Sequence, residues 1–222
     1  MPTVPYGSER IPLNKPSLQL VRLYVIVDRA ALGGRDPVRV AEAALRGGAD
    51  VIQWRDKMAS DREFLEVARL LRDLTRKYGT LFVVNDRVEA ALLIQADGVH
   101  VGHEDLPVQE LRSLVGQAML IGRSTHNLEE AQEAEQAGAD YIGVGPIFST
   151  PTKPDYPVVG TQLIQQLRPQ IRIPWVAIGG IDLENLPLVL SAGATRVAVV
   201  RAVAAASHPE AAARAFKERL TA

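Results

Sequence analysis

Cysteine is absent from the 222 residues. That absence excludes disulfides, thiolate zinc sites, iron–sulfur clusters and a cysteine nucleophile, so any chemistry must come from other side chains. A charge imbalance is missing as well. The 25 Lys and Arg stand against 26 Asp and Glu, no block is rich in basic residues, and nucleic acid is not expected as a partner. Long apolar runs are lacking too: Tyr24–Val27 and Val197–Val200 stop far short of the roughly 18 residues a membrane span needs, so no membrane contact is expected. The first twenty residues hold Pro2, Pro5, Pro12 and Pro16 without the apolar core of a signal peptide. Residues 1–19 are therefore read as a poorly ordered leader, and the expected compartment is the cytoplasm.

What the chain does have is an apolar fraction of 47%, enough for a sizeable core, and a regular alternation. From Leu23 onward, β-branched runs alternate with amphipathic segments rich in alanine and leucine, the pattern of βα units around a parallel sheet. Strands are predicted at 23–28, 50–55, 81–86, 98–102, 120–125, 141–148, 175–180 and 196–201. Helices are predicted at 36–47, 61–78, 87–95, 107–116, 127–138, 161–170, 182–192 and 208–220. The corners Gly47-Gly48-Ala49-Asp50, Gly138-Ala139-Asp140 and Gly193-Ala194 form a weak repeat in which glycine ends a helix and turns the chain into the next strand. Eight pairs of uniform composition leave no place for a second domain boundary. A single (β/α)8 TIM barrel over residues 20–222 is expected, with a doubly wound open sheet as the alternative.

Barrel enzymes place their chemistry on the loops after the strands, so polar residues at strand ends become candidates. In Gln53-Trp54-Arg55-Asp56-Lys57 the period of two sends Gln53, Arg55 and Lys57 to one side and Trp54 and Asp56 to the other. A guanidinium fork and a point charge on one side suit phosphate. Asp86 and Asp105 follow neighbouring strands and could share a divalent cation, for which oxygen-only ligation suits Mg2+. Each also sits where a helix N-cap would be, and Asp favours that position. Gly179-Gly180 and Val200-Arg201 follow the seventh and eighth strands, where barrels build phosphate sites from backbone N–H groups. The stretch Ser149–Pro157 is long, with Thr150, Pro151, Thr152 and Lys153 placed to close over anionic ligands. Among the histidines, His100 reads as a hydrogen-bonded interior residue and His208 as a surface one, while His126 is kept as a possible proton carrier.

Six of these stretches, in order, resemble the thiamine phosphate synthase family. They are Gln53–Lys57, Val84-Asn85-Asp86, Asp97–Asp105, Gly122-Arg123-Ser124, Gly143–Phe148 with Thr150–Lys153, and Ile178–Ile181, and the likeness spans about residues 22–220. The resemblance implies a transferase that joins 4-amino-5-hydroxymethyl-2-methylpyrimidine pyrophosphate to a thiazole phosphate, releasing pyrophosphate and forming thiamine phosphate. It implies a substrate-binding set of Gln53, Trp54, Arg55, Asp56, Lys57, Asn85, Ser124, Thr150, Pro151, Thr152, Lys153, Gly180, Val200 and Arg201. Arg55, Lys57, Ser124 and Lys153 would act in catalysis, and Asp86 and Asp105 would bind Mg2+. Only a backbone contact carries over at Arg201, where some family members have serine. His103 and Trp54 depart from the family pattern of glutamine and a smaller apolar residue.

No strand carries an interior lysine or an evident pair of carboxylate bases, which disfavours a sugar-phosphate aldolase or isomerase. Two alternatives stay open: a metal-independent thiazole tautomerase using His126, and a non-catalytic sensor of phosphate ligands.

Overall fold

The computed structural model describes residues 15–152 and 156–221. Eight strands form a closed, all-parallel barrel in sequence order: β1 (Leu23–Asp28), β2 (Val51–Arg55), β3 (Leu81–Asn85), β4 (Gly98–Val101), β5 (Leu120–Thr125), β6 (Tyr141–Val144), β7 (Trp175–Ile178) and β8 (Val197–Val199). Closure through β1 and β8, with Leu23 opposite Val197, excludes the open sheet. The helices around it are α1 (Pro37–Arg46), α2 (Asp61–Tyr78), α3 (Val88–Leu93), α4 (Val108–Val115), α5 (Leu128–Gln136), α6 (Gly160–Leu167), α7 (Leu186–Ser191), α8 (Arg201–Ala204) and α9 (Pro209–Thr221). Among the described residues, no helix is long and apolar enough to cross a membrane.

The alternation of side chains along each strand creates two apolar layers. Residues such as Val25, Ile52, Trp54, Phe82 and Val99 face the helices, while Tyr24, Ile26, Val51, Val83, Leu120, Tyr141, Val176 and Ala198 fill the barrel. Of the boundaries that departed from the hydrophobic pattern, three have a clear local cause. β6 stops at Val144, because Pro146 has no N–H for a ladder, and β8 stops at Val199, because Arg201 already begins α8. α7 begins at Leu186 rather than near 182, because Asp182 Oδ1 first accepts the Glu184 and Asn185 N–H groups in a turn.

The Ala-Asp corners have a structural use. Asp50, Asp97 and Asp140, just before β2, β4 and β6, each accept a backbone N–H at the start of the preceding strand: Leu23 at 2.9 Å, Phe82 at 2.8 Å and Ile121 at 2.8 Å. Each also pairs with a helix cation, Lys217, Arg72 or Arg112 respectively. These three braces tie β1 to β2, β3 to β4 and β5 to β6 at the N-terminal end of the barrel.

Residues 15–19, the described end of the stretch read as a leader, contact the barrel. Lys15 pairs with Asp140, Leu18 is buried in the inner layer, and the Leu18 carbonyl accepts from Arg196 Nε at 3.2 Å. An apolar residue covering the open end of the inner layer removes that layer from water. Residues 1–14 lie outside the described residues.

Candidate active site

β2 delivers its polar residues as the alternation requires. Gln53 is buried inside the barrel and Arg55 stands at its mouth, where Arg55 Nη1 pairs with Asp28 at the end of β1. Asp28 is a residue that the strand-end survey missed, although it closes an inward-facing series with Tyr24 and Ile26. Its buried carboxylate leaves the Arg55 fork oriented rather than free to swing. Lys57 continues the same side and reaches Asp86 Oδ2 at 2.6 Å.

Trp54 and Asp56 take the other side of the chain, as the alternation also requires. Trp54 is fully buried on the helix side, against Phe64 at 5.8 Å between ring centroids. Asp56 pairs with Arg29 at 3.0 Å and accepts the Met58 and Ala59 N–H groups, which folds the turn that presents Lys57. Burial pushes the Asp56 carboxyl up, but the Arg29 guanidinium and the two N–H donors outweigh it and hold it below the ordinary carboxylate range.

Asp86 and Asp105 come together. Neither caps a helix: the residues at the caps of α3 and α4 are Arg87 and Pro107. Both aspartates line one cavity at the barrel mouth, where Asp105 Oδ2 also accepts the Gly102 N–H at 2.6 Å. Burial raises the Asp86 pKa, Asp105 raises it further, and Lys57 opposes both. Arg123, on the outer face of β5, clasps the loop that carries Asp105 through the His103 and Leu106 carbonyls.

Two adjoining cavities meet at the C-terminal mouth. The first, of about 390 Å³, is lined by Gln53, Arg55, Ser124, Thr150, Pro151, Thr152, Gly180, Val200 and Arg201 among others. The second, of about 290 Å³, gathers Lys57, Asp86, Asp105 and Tyr156. Arg55, Asn85, Ser124 and Thr152 line both, so one polar wall divides an inner chamber from a charged vestibule. Lys153 lies outside the described residues.

At the far wall of the chamber, Gly180 has φ +63°, and a Cβ there would meet the Ser149 carbonyl and the Phe148 side chain. Glycine is thus required on two counts, left-handed backbone and close approach of the β6 loop. His126 closes another part of this wall. Its Nδ1 bonds the Gly145 carbonyl, its ring packs on Tyr156 at 4.7 Å, and its Nε2 has no hydrogen-bond partner among the described residues.

Beneath the chamber runs a series of hydrogen bonds that no sequence motif announced. Gln53 Nε2 donates to Tyr24 Oη at 2.8 Å, the Tyr24 and Tyr141 hydroxyls lie 2.9 Å apart, and His100 joins Tyr141 (3.1 Å) to Ser124 Oγ (3.0 Å). The sequence reading of His100 as a hydrogen-bonded interior residue holds, and Gly122 leaves it room. A Cβ at that inward position would collide with the Tyr141 ring and His100.

Two carboxylates lining one cavity beside Lys57 are the residues that could hold a Mg2+ ion, with positions left open for ligand oxygens. Among the described residues no group of three or more acidic, histidine or cysteine side chains forms, so a dedicated protein cage is absent there.

Residues 23–203 match the family model described as thiamine monophosphate synthase. A thiamine-phosphate synthase of Chloroflexus aurantiacus is 51% identical over 197 residues, 88% of this chain and 91% of that protein. One from Thermosynechococcus vestitus is 50% identical over 184 residues, 83% of this chain but 52% of that protein. The chain thus spans little more than half the length of some curated relatives it matches. Among solved structures, thiamine phosphate pyrophosphorylase from Pyrococcus furiosus is similar, with a TM-score of 0.84 and 41% identity, covering 90% of this chain and 96% of that one.

Proposed function

Because this chain belongs to the thiamine monophosphate synthase family, we propose that it joins 4-amino-5-hydroxymethyl-2-methylpyrimidine pyrophosphate to a thiazole phosphate, giving thiamine phosphate and pyrophosphate. The observation that carries this reading is the shared wall of Arg55, Asn85, Ser124 and Thr152. It separates a chamber fit for two heterocycles from a vestibule fit for a diphosphate.

In this reading Gln53 meets the pyrimidine from the chamber floor. Arg55, Lys57, Asn85 and Ser124 hold the pyrophosphate, and Asp86 and Asp105 hold Mg2+. When bound, the metal supplies positive charge that offsets the two carboxylates and the phosphate oxygens. The inventory contains no strong nucleophile and no dedicated base, but many groups able to stabilise a departing anion. The reaction is therefore written as a dissociative substitution. Arg55 and Lys57 stabilise the leaving pyrophosphate as the C–O bond breaks, and the electron-rich aminopyrimidine supports positive charge on its methylene carbon. Thr150, Thr152 and the backbone at Gly180, Val200 and Arg201 hold the thiazole phosphate, so that its ring nitrogen is aligned to capture that carbon. Thr150, Pro151 and Thr152, which line the chamber, exclude water from the methylene cation.

A coupled assay tests the reading. Thiamine phosphate and pyrophosphate should form only with both substrates and Mg2+ present, and no product under those conditions overturns it. Turnover that persists in excess EDTA would leave the synthase reading standing and remove the metal. The buried Nε2 of His126 favours a second reading, a thiazole tautomerase, for which the same assay would give an isomerised thiazole phosphate without pyrophosphate.

A further inference from the structure

The buried series from Gln53 to Ser124 has a direction. Tyr24 and Tyr141 are enclosed by the barrel, and burial pushes both phenols up, so each keeps one proton to donate. Gln53 Nε2 can only donate, and it donates to Tyr24 Oη. The Tyr24 proton then has the Tyr141 oxygen as its acceptor, at 2.9 Å. The Tyr141 proton passes to His100 Nδ1, which must be the unprotonated ring nitrogen to accept it. The imidazole proton therefore sits on Nε2 and is donated to Ser124 Oγ at 3.0 Å. With its lone pair engaged from below, the Ser124 hydroxyl turns its own proton toward the junction of the two cavities that it lines.

We infer that the Gln53–Tyr24–Tyr141–His100 series is a polarity-setting support that makes Ser124 a hydrogen-bond donor to the anionic leaving group, with His100 as a positioning residue acting through Ser124. The inference rests on the proposed reading that pyrophosphate meets Ser124. The opposite direction would consume the Ser124 proton on His100 and leave only lone pairs facing an anion, a repulsive arrangement. It would also require Gln53 to turn its carbonyl oxygen downward, which would aim the amide N–H groups, rather than the carbonyl, at the exocyclic amine of an aminopyrimidine. Both ligand ends thus favour the same direction. Space for the support is built into the barrel, because Gly122 leaves the volume that the Tyr141 ring and His100 occupy.

The test reads the imidazole first. In ligand-free protein carrying 15N-histidine, with only four histidines to assign, His100 is expected as the Nε2–H tautomer at neutral pH. An Nδ1–H tautomer or an imidazolium overturns the inference. This measurement needs no variant, so a misfolded mutant cannot blunt it. Kinetics supply the second arm. His100→Leu and Ser124→Ala should each lower kcat by about tenfold or more, the size of one hydrogen bond to a charged group. The double variant should fall no further than Ser124→Ala alone, and His100→Gln, whose amide can still donate to Ser124, should recover most of the loss. Additive losses, or no recovery with glutamine, would assign His100 a merely structural place and overturn the inference. Should the unaltered protein release no pyrophosphate from its two substrates, the functional reading fails instead, and the tautomer still decides the direction of the support.

Discussion

The Asp86 backbone has φ +59°, a left-handed conformation in which Asp and Asn are the non-glycine residues tolerated best. That geometry turns its carboxyl toward Lys57 and Asp105 and decides which substitution is informative. Asp86→Asn keeps the backbone preference and removes the charge, and pyrophosphate release should fall about 10²-fold or more while far-UV circular dichroism is unchanged. Unaltered turnover would show that the carboxylate is dispensable. Asp86→Ala should fall as far but add about 1 kcal/mol of backbone strain, read as a lower urea midpoint. Asp56 works differently, as a residue that shapes the turn before Lys57. Its folded pKa lies below the unfolded value, so its contribution to stability is complete above the ordinary carboxylate range and disappears as pH falls through the lowered value. Asp56→Asn should therefore cost about 2 kcal/mol in urea unfolding at pH 7, with the difference from wild type shrinking toward strongly acid pH. A pH-independent difference would contradict the ion pair.

Helices and strands meet the site at one end of the barrel and the Asp braces at the other. The division lets two kinds of chemistry coexist in one short repeat: Ala-Asp corners brace the barrel floor, and strand ends carry polar residues to its mouth. Asp97 shows the first kind, since its carboxylate accepts the Phe82 N–H and both Arg72 Nη atoms, at 2.6 Å and 3.0 Å. Asp97→Ala strands a half-buried guanidinium and a backbone donor, and should cost about 3 kcal/mol of unfolding free energy while leaving the KM of both substrates unchanged. A changed KM would mean that the brace reaches the mouth. The hydrophobic period located β1 and α2 to the residue, because their alternation and capping are local: Ser60 and Glu63 form a reciprocal cap at the start of α2. It overran β6 and β8, whose ends depend on a proline without a donor and on a short helix packed beneath the rim. Neither shows in a count of apolar residues.

For the molecule as a whole, the inner layer is continuous from the N-terminal floor to the chamber. Leu18 and Val21 lie at one end of it, and Gln53, His100 and Ser124 carry polar bonding up to the other. Leu18→Ala should destabilise the barrel by about 2 to 4 kcal/mol in chemical denaturation, as for a core leucine. A shift within about 0.5 kcal/mol would mean that the segment is peripheral. The sequence by itself determined the eight βα units, the side of β2 that carries Gln53, Arg55 and Lys57, and the strand ends whose polar residues line the mouth. Period and capping are properties of neighbouring residues, so they can be read along a chain. Only the tertiary structure decided that Asp28 aligns Arg55, and that two tyrosines and a histidine lie in one hydrogen-bonded series beneath Ser124. Those relations join β1, β2, β4, β5 and β6 across a closed barrel, where inward side chains meet partners far away in sequence and each buried donor must find an acceptor.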